Sequence, residues 1–75
     1  MEPMYMNGKG VAKVGDVVMT SPGTVRAIVI GINGTFVKVL GIGIRKDTGD
    51  TVVLNWVHDM PASDCVLLEK QTLNL

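Results

Sequence analysis

The chain has 75 residues, enough for one domain, and a domain of that length buries only about 60% of its unfolded surface, so its stability margin is narrow. Seven basic residues balance seven acidic ones, which excludes a general electrostatic attraction for nucleic-acid phosphates. One cysteine and one histidine exclude an internal disulfide and the common four-ligand zinc sites, leaving core packing or self-association to supply stability.

Residues 1–13 show no hydrophobic period and contain Pro3, Gly8 and Gly10, which predicts an irregular or mobile arm. Met4, Tyr5 and Met6 are apolar enough to pack somewhere, a neighbouring subunit being one place. The opening segment lacks a basic stretch followed by an apolar one, so no secretory leader is expected. No apolar run is long enough to span a membrane as a helix. With a single unpaired cysteine, a cytoplasmic location is expected.

From Val14 the pattern becomes that of strands. Gly15-Asp16 is a turn, and Val17–Thr20 a short β-branched run. Ser21-Pro22-Gly23 predicts a second turn, with proline fixing φ and glycine free to take a positive φ. Residues 24–32 are rich in valine and isoleucine and predict a long strand. Asn33-Gly34 then predicts a type I′ hairpin turn with both residues at its centre. The return strand covers residues 35–44, placing Phe36, Lys38, Leu40, Ile42 and Ile44 on one face. Val37, Val39, Gly41 and Gly43 lie on the other, and such glycines mark a sharp bend or a close backbone approach. After a polar turn at residues 46–50, residues 51–58 predict a fourth strand, with Val52, Leu54 and Trp56 sharing a face. Residues 60–64 suit a single 3₁₀ turn, and Cys65–Glu69 predicts the last strand.

This order of pieces resembles the small SH3-like barrels, including the KOW and Tudor-like barrels and short phage and bacterial barrel proteins. The residues that carry the resemblance are Gly15-Asp16-Val17-Val18, the hairpin at Asn33-Gly34, the strand with Trp56, the single turn, and Cys65-Val66-Leu67-Leu68-Glu69. The resemblance implies an all-β fold, a five-stranded SH3-like barrel over residues 14–69 with one 3₁₀ turn before its last strand. Residues 1–13 are then an arm and 70–75 a tail. The chain is also similar in size, Gly-Asp-Val entry and Val-Leu-Leu-Glu ending to the type II plasmid dihydrofolate reductases. Their Val-Gln-Ile-Tyr pore strand is absent, and Val52-Val53-Leu54-Asn55-Trp56 stands where it would fall, without the Gln and Tyr.

Few residues carry the spacing of a reactive centre. His58 and Asp59 invite a general-base reading, but neighbours on a strand point to opposite faces and do not pair. Cys65 opens an apolar strand, where a buried, unreactive thiol is expected. Asp47, Asp50, Asp59 and Asp64 are too scattered for a calcium loop, and the glycines precede no phosphate-binding helix. Arg26, Lys38, Arg45 and Lys46 could gather on the hairpin ribbon against phosphates, although balanced charge favours a solvated ribbon. Trp56 suits a core or subunit interface before a ligand platform.

One pattern stands out. The hairpin strands carry apolar side chains on both faces, where a solitary small barrel should alternate apolar with polar. Either the outer face is covered, most simply by another copy, or a bent strand changes which face is inward partway along. These observations predict a non-enzymatic interaction module, homo-oligomeric, that binds a protein or nucleic-acid partner through its hairpin and loops. The resemblance adds a phage or mobile-element accessory role. The expected binding residues are Arg26, Lys38, Arg45, Lys46, Trp56 and His58, with no catalytic residue, metal or cofactor. The alternative is an oligomeric enzyme or small-ligand binder whose interface site is lined by Asn55, Trp56 and His58.

Overall fold

In the computed structural model of the chain, residues 2–8, 10–21 and 25–70 are described. They form strands β1 (Val17–Thr20), β2 (Arg26–Asn33), β3 (Phe36–Ile44) and β4 (Thr51–Pro61). A 3₁₀ turn at Ala62–Asp64 leads into β5 (Cys65–Glu69). The fold is all-β, with one antiparallel sheet in the order β4-β3-β2-β1-β5. The expected turn at residues 21–23 falls largely outside the described residues, as does most of the expected tail.

The sheet is not closed into the expected barrel. Closure would require β4 to pair with the free edge of β5, and the N-terminal segment occupies that edge instead. The Met6 backbone N–H donates to the Cys65 carbonyl at 2.9 Å. The Asn7 carboxamide brackets Leu67, donating to its carbonyl at 3.3 Å and accepting from its N–H at 3.4 Å. A side-chain amide thus stands in for the peptide group of a sixth strand.

The same segment supplies part of the core. Met4 and Val11 form an isolated bridge, and the Ala12 N–H donates to the Pro3 carbonyl at 2.7 Å, closing a loop that turns Tyr5 inward. Tyr5 and Ala12 are buried with Val18, Ala27, Val29, Val37 and Val39 from the sheet, and with Met60, Ala62 and Cys65 around the 3₁₀ turn. Tyr5 therefore packs within its own chain, while Met4 and Met6 remain exposed.

Asp16 anchors this arrangement. Its buried carboxylate accepts hydrogen bonds from the Tyr5 hydroxyl at 2.5 Å and the Lys13 N–H at 2.9 Å. Lys70 Nζ lies 3.6 Å from the same oxygen and donates to the Val11 carbonyl at 3.0 Å. Gly15 reaches φ +99°, a left-handed conformation that suits glycine, and its N–H donates to the Val29 carbonyl at 2.8 Å. The Gly-Asp pair thus makes the entry turn and a buried anion site for a tyrosine eleven residues upstream.

The hairpin differs from the expected turn by one residue. Asn33 pairs with Phe36, so the two-residue loop is Gly34-Thr35. Gly34, at φ +61°, takes the first central position, where both primed turn types need a positive φ. Thr35 also accepts, at its carbonyl, a 2.9 Å hydrogen bond from the Ala62 N–H, which ties the hairpin to the 3₁₀ turn.

Candidate binding surface

Of three β-bulges in the sheet, one sets Glu69 opposite Val17 at the β1–β5 pairing, and those in β2 and β4 decide which side chains of these two strands face the core. In β2 the register passes from Val29–Val39 to Gly31–Lys38, leaving Ile30 as an extra residue. One extra residue reverses the alternation. Ala27 and Val29 point inward before it, and afterwards Ile32 shares the core face with Val37. The bulge accounts for Ile32 alone in the two-faced apolar pattern of β2, because Ile28 precedes it and still faces outward opposite Val17 and Leu40. No bulge interrupts β3, and there the reading differs. Val37, Val39 and Gly41 are buried, whereas Phe36 and Ile44 are exposed and Leu40 and Ile42 half-buried on the opposite face. The inner face is built from small residues and the outer face carries the larger ones.

The outer face is continuous across the sheet. Val17, Ile28, Leu40 and Val57 lie opposite one another in register, a single apolar row crossing β1, β2, β3 and β4. Ile42 and Val53 form a further pair beside it. Val53 is 68% exposed and Val57 52%.

The other of these two bulges lies in β4. Three residues, Leu54, Asn55 and Trp56, span the interval opposite Gly41, between Leu40–Val57 and Ile42–Val53. Two extra residues preserve the alternation, so Trp56 and Leu54 both turn toward the inner side. A Cβ on Gly41 would lie 3.2 Å from the Trp56 ring and 3.5 Å from the Leu54 Cβ, so the missing side chain admits the bulge. Trp56 is half-buried against the core, and its exposed part stacks on His58 with ring centroids 4.6 Å apart and planes at 29°. His58 lies opposite Val39, while Asp59 lies opposite Lys38 on the outer face. The two neighbours diverge as strand geometry requires, and the aspartate does not orient the imidazole.

The six expected binding residues fall into separate places. Trp56 and His58 are brought together on the inner rim of β4. Lys38 stands across from Asp59 on the outer face. Arg26 lies near the level of Ile42, about 13 Å along the strand from Lys38 at ~3.3 Å per residue. Arg45 follows β3, with Nε 3.5 Å from Asp47, and Lys46 is exposed in the adjoining turn. The hairpin does frame an open cleft of about 640 Å³, lined by residues that include Ile30, Phe36, Lys38 and Asp59.

Two groups not assigned to binding are shifted by burial. The Cys65 thiol is pushed up to about 11, by desolvation first and the nearby Asp64 second. The Tyr5 hydroxyl is raised well above its ordinary range by burial and by its hydrogen bond to Asp16. Both shifts favour the neutral acid, which suits structural groups rather than nucleophiles. Among the described residues no group of three or more His, Cys, Asp or Glu is placed to hold a metal ion. No described helix is long and apolar enough to cross a membrane. The Tyr5–Asp16–Lys70 cluster has no signal in the sequence, because its members are far apart and show no common period.

Comparisons of the chain with protein families, with curated proteins and with solved structures return no match.

Proposed function

We propose that this chain is a non-enzymatic interaction module that works as a homo-oligomer and engages a partner protein. The observation that supports this reading is the inverted distribution of bulk, with valines and alanines facing the core and larger apolar side chains facing outward on β3. Exposed apolar surface of this kind is stabilised by burial against another protein. The charges favour a protein over a nucleic acid, since Lys38 stands opposite Asp59 and Arg45 lies beside Asp47. The order of elements agrees with the SH3-like resemblance, in an open version of that scaffold, and an accessory role in a phage or mobile element rests on the same resemblance. The cytoplasm is the compartment proposed, on the chain's single cysteine, since disulfide frameworks belong to oxidising compartments.

The partner site proposed is the rim formed by Trp56 and His58, where an aromatic surface is held against the core and exposed on one side. Affinity capture with His58→Asp beside the wild type tests it: a partner protein should be retained by the wild type and lost by the variant. Fluorescence anisotropy with single-stranded and duplex oligonucleotides tests the discrimination. Binding that weakens steeply with added salt would overturn the choice of a protein partner.

A second reading, an oligomeric enzyme or small-ligand binder at a subunit interface, is favoured by the Trp56–His58 stack alone. Asn55 alternates to the other face of β4, so the stack would have to draw its remaining polar groups from another copy. Saturable binding of a small aromatic ligand, read by quenching of the lone tryptophan, would support it.

A further inference from the structure

We propose that the outer face of the sheet is the self-association surface, and that a second copy of this chain packs on it face to face as a two-sheet sandwich. This inference rests on the homo-oligomeric reading above and names its surface. The argument begins with the row Val17, Ile28, Leu40 and Val57, which crosses four strands in register on the side away from the core. Hydrophobic side chains on adjacent strands at matched positions make an uninterrupted apolar band, the surface that packed sheets present to each other about 10 Å apart. The inner side of the sheet already has its cover in Tyr5, Ala12 and Ala62. Among the described residues the outer side has none, and the molecule is a slab only 19 Å thick along its shortest axis.

The area is that of a small dimer interface. The four strands that carry the band, spaced ~4.8 Å apart with a rise of ~3.3 Å per residue, give a face of roughly 19 by 28 Å. Its footprint, on the order of 500 Å² on each copy, buries about 1,000 Å² in all, the scale at which a specific interface begins. On β2 the band ends at the Ile30 bulge, beyond which Gly31 takes the outer face opposite Lys38. The β4 bulge preserves the alternation, which keeps Val53 and Val57 on the same side.

The charges on this face select a second copy over a charged partner. Arg26 and Lys38 are offset by Asp59 and Glu69 at the ends of the apolar band, so the face carries no net charge. Two identical faces then meet without net repulsion, and an isologous interface can set the acidic positions of one copy near the basic positions of the other. Both edges of the sheet stay outside the contact, and the Trp56–His58 rim faces the other way. Self-association and partner binding therefore use different sides.

Sedimentation equilibrium and light scattering of the full chain test the proposal. The wild type should be dimeric at micromolar concentrations. Val57→Glu, at a position already half exposed, should shift the chain to monomer with an unchanged circular dichroism spectrum. Val53→Lys provides a second probe of the same face should the first variant fold poorly. Leu54→Glu, on the inner side of the same strand, should remain dimeric. A wild-type chain that stays monomeric would overturn the homo-oligomeric reading together with this surface. A dimer that resists both outer-face variants but is broken by Leu54→Glu would overturn this surface alone.

Discussion

Gly41 lies directly beneath the indole of Trp56, and a Cβ at that position would approach the ring to 3.2 Å. The contact explains why β4 can carry two extra residues opposite a single residue of β3. Gly41→Ala should force the ring or the bulge to shift, with a loss of about 1–3 kcal/mol in the range of overpacked cores. Gly43→Ala is the matched control, since its added carbon would meet Leu54 and Val52 at 3.6 Å, an ordinary contact. Urea unfolding of the two variants should separate them clearly. Equal stability would show that the close approach under Trp56 is readily relaxed.

Tyr5 and Asp16 hold the N-terminal segment on the sheet by a short buried hydrogen bond. Tyr5→Phe keeps the ring and deletes the hydroxyl, so the carboxylate loses one of its donors inside the protein. Hydrogen bonds to charged groups contribute about 1.5–3 kcal/mol, and a loss of that order is expected. Lys70→Met removes the charge 3.6 Å from the same oxygen, but the lysine side chain is 43% exposed. Solvent screening should hold its cost below about 1 kcal/mol. Chemical denaturation of both variants checks the ranking.

Asn7 closes the free edge of β5, and its removal should be felt locally. The two hydrogen bonds to Leu67 are exposed and long, so Asn7→Ala should change global stability by about 0.5 kcal/mol or less. The Leu67 amide should then exchange faster with solvent, since the variant has no side-chain acceptor there. Hydrogen exchange followed residue by residue would show it. An unchanged Leu67 rate would mean that Asn7 does not protect the edge.

The strands were legible in the sequence because β-branched runs and turn residues alternate cleanly, and β1 and β5 fall where their patterns place them. The face assignment on β3 and β4 was legible for the same reason. The bulge at Ile30 was not, since an extra residue inside an apolar run leaves no break in composition, and it carried Ile32 to the side opposite Ile28. Barrel closure failed as an expectation because Asn7 and Met6 lie in a segment without period, yet their backbone and amide groups match the edge of β5. Trp56 and His58 share a face through i, i+2 spacing, whereas the basic residues are dispersed because Lys38 and Arg26 sit at distant levels of the sheet.

Alkaline pH should weaken the fold in two steps, because two buried acids hold their protons more tightly when folded. The Cys65 thiol rises from its ordinary value of 9.0 to about 11 in the folded chain. Above pH 9 the unfolded chain therefore releases this proton first, the folded chain binds more protons, and stability falls as pH rises. The contribution is complete below about pH 9 and lost as pH climbs through about 11. Tyr5 acts in the same direction from its ordinary value of 10.0 upward, since its folded-state value is also raised. Urea midpoints measured from pH 7 to pH 11 should stay flat to about pH 9 and then decline. Cys65→Ala should flatten the first part of that decline, and Tyr5→Phe the later part, whatever each variant costs in packing at neutral pH. The same burial predicts that native Cys65 reacts slowly with a maleimide at neutral pH and rapidly in urea. A thiol that labels equally fast in both conditions would remove Cys65 from the core, and a decline that persists unchanged in both variants would place its cause in other groups.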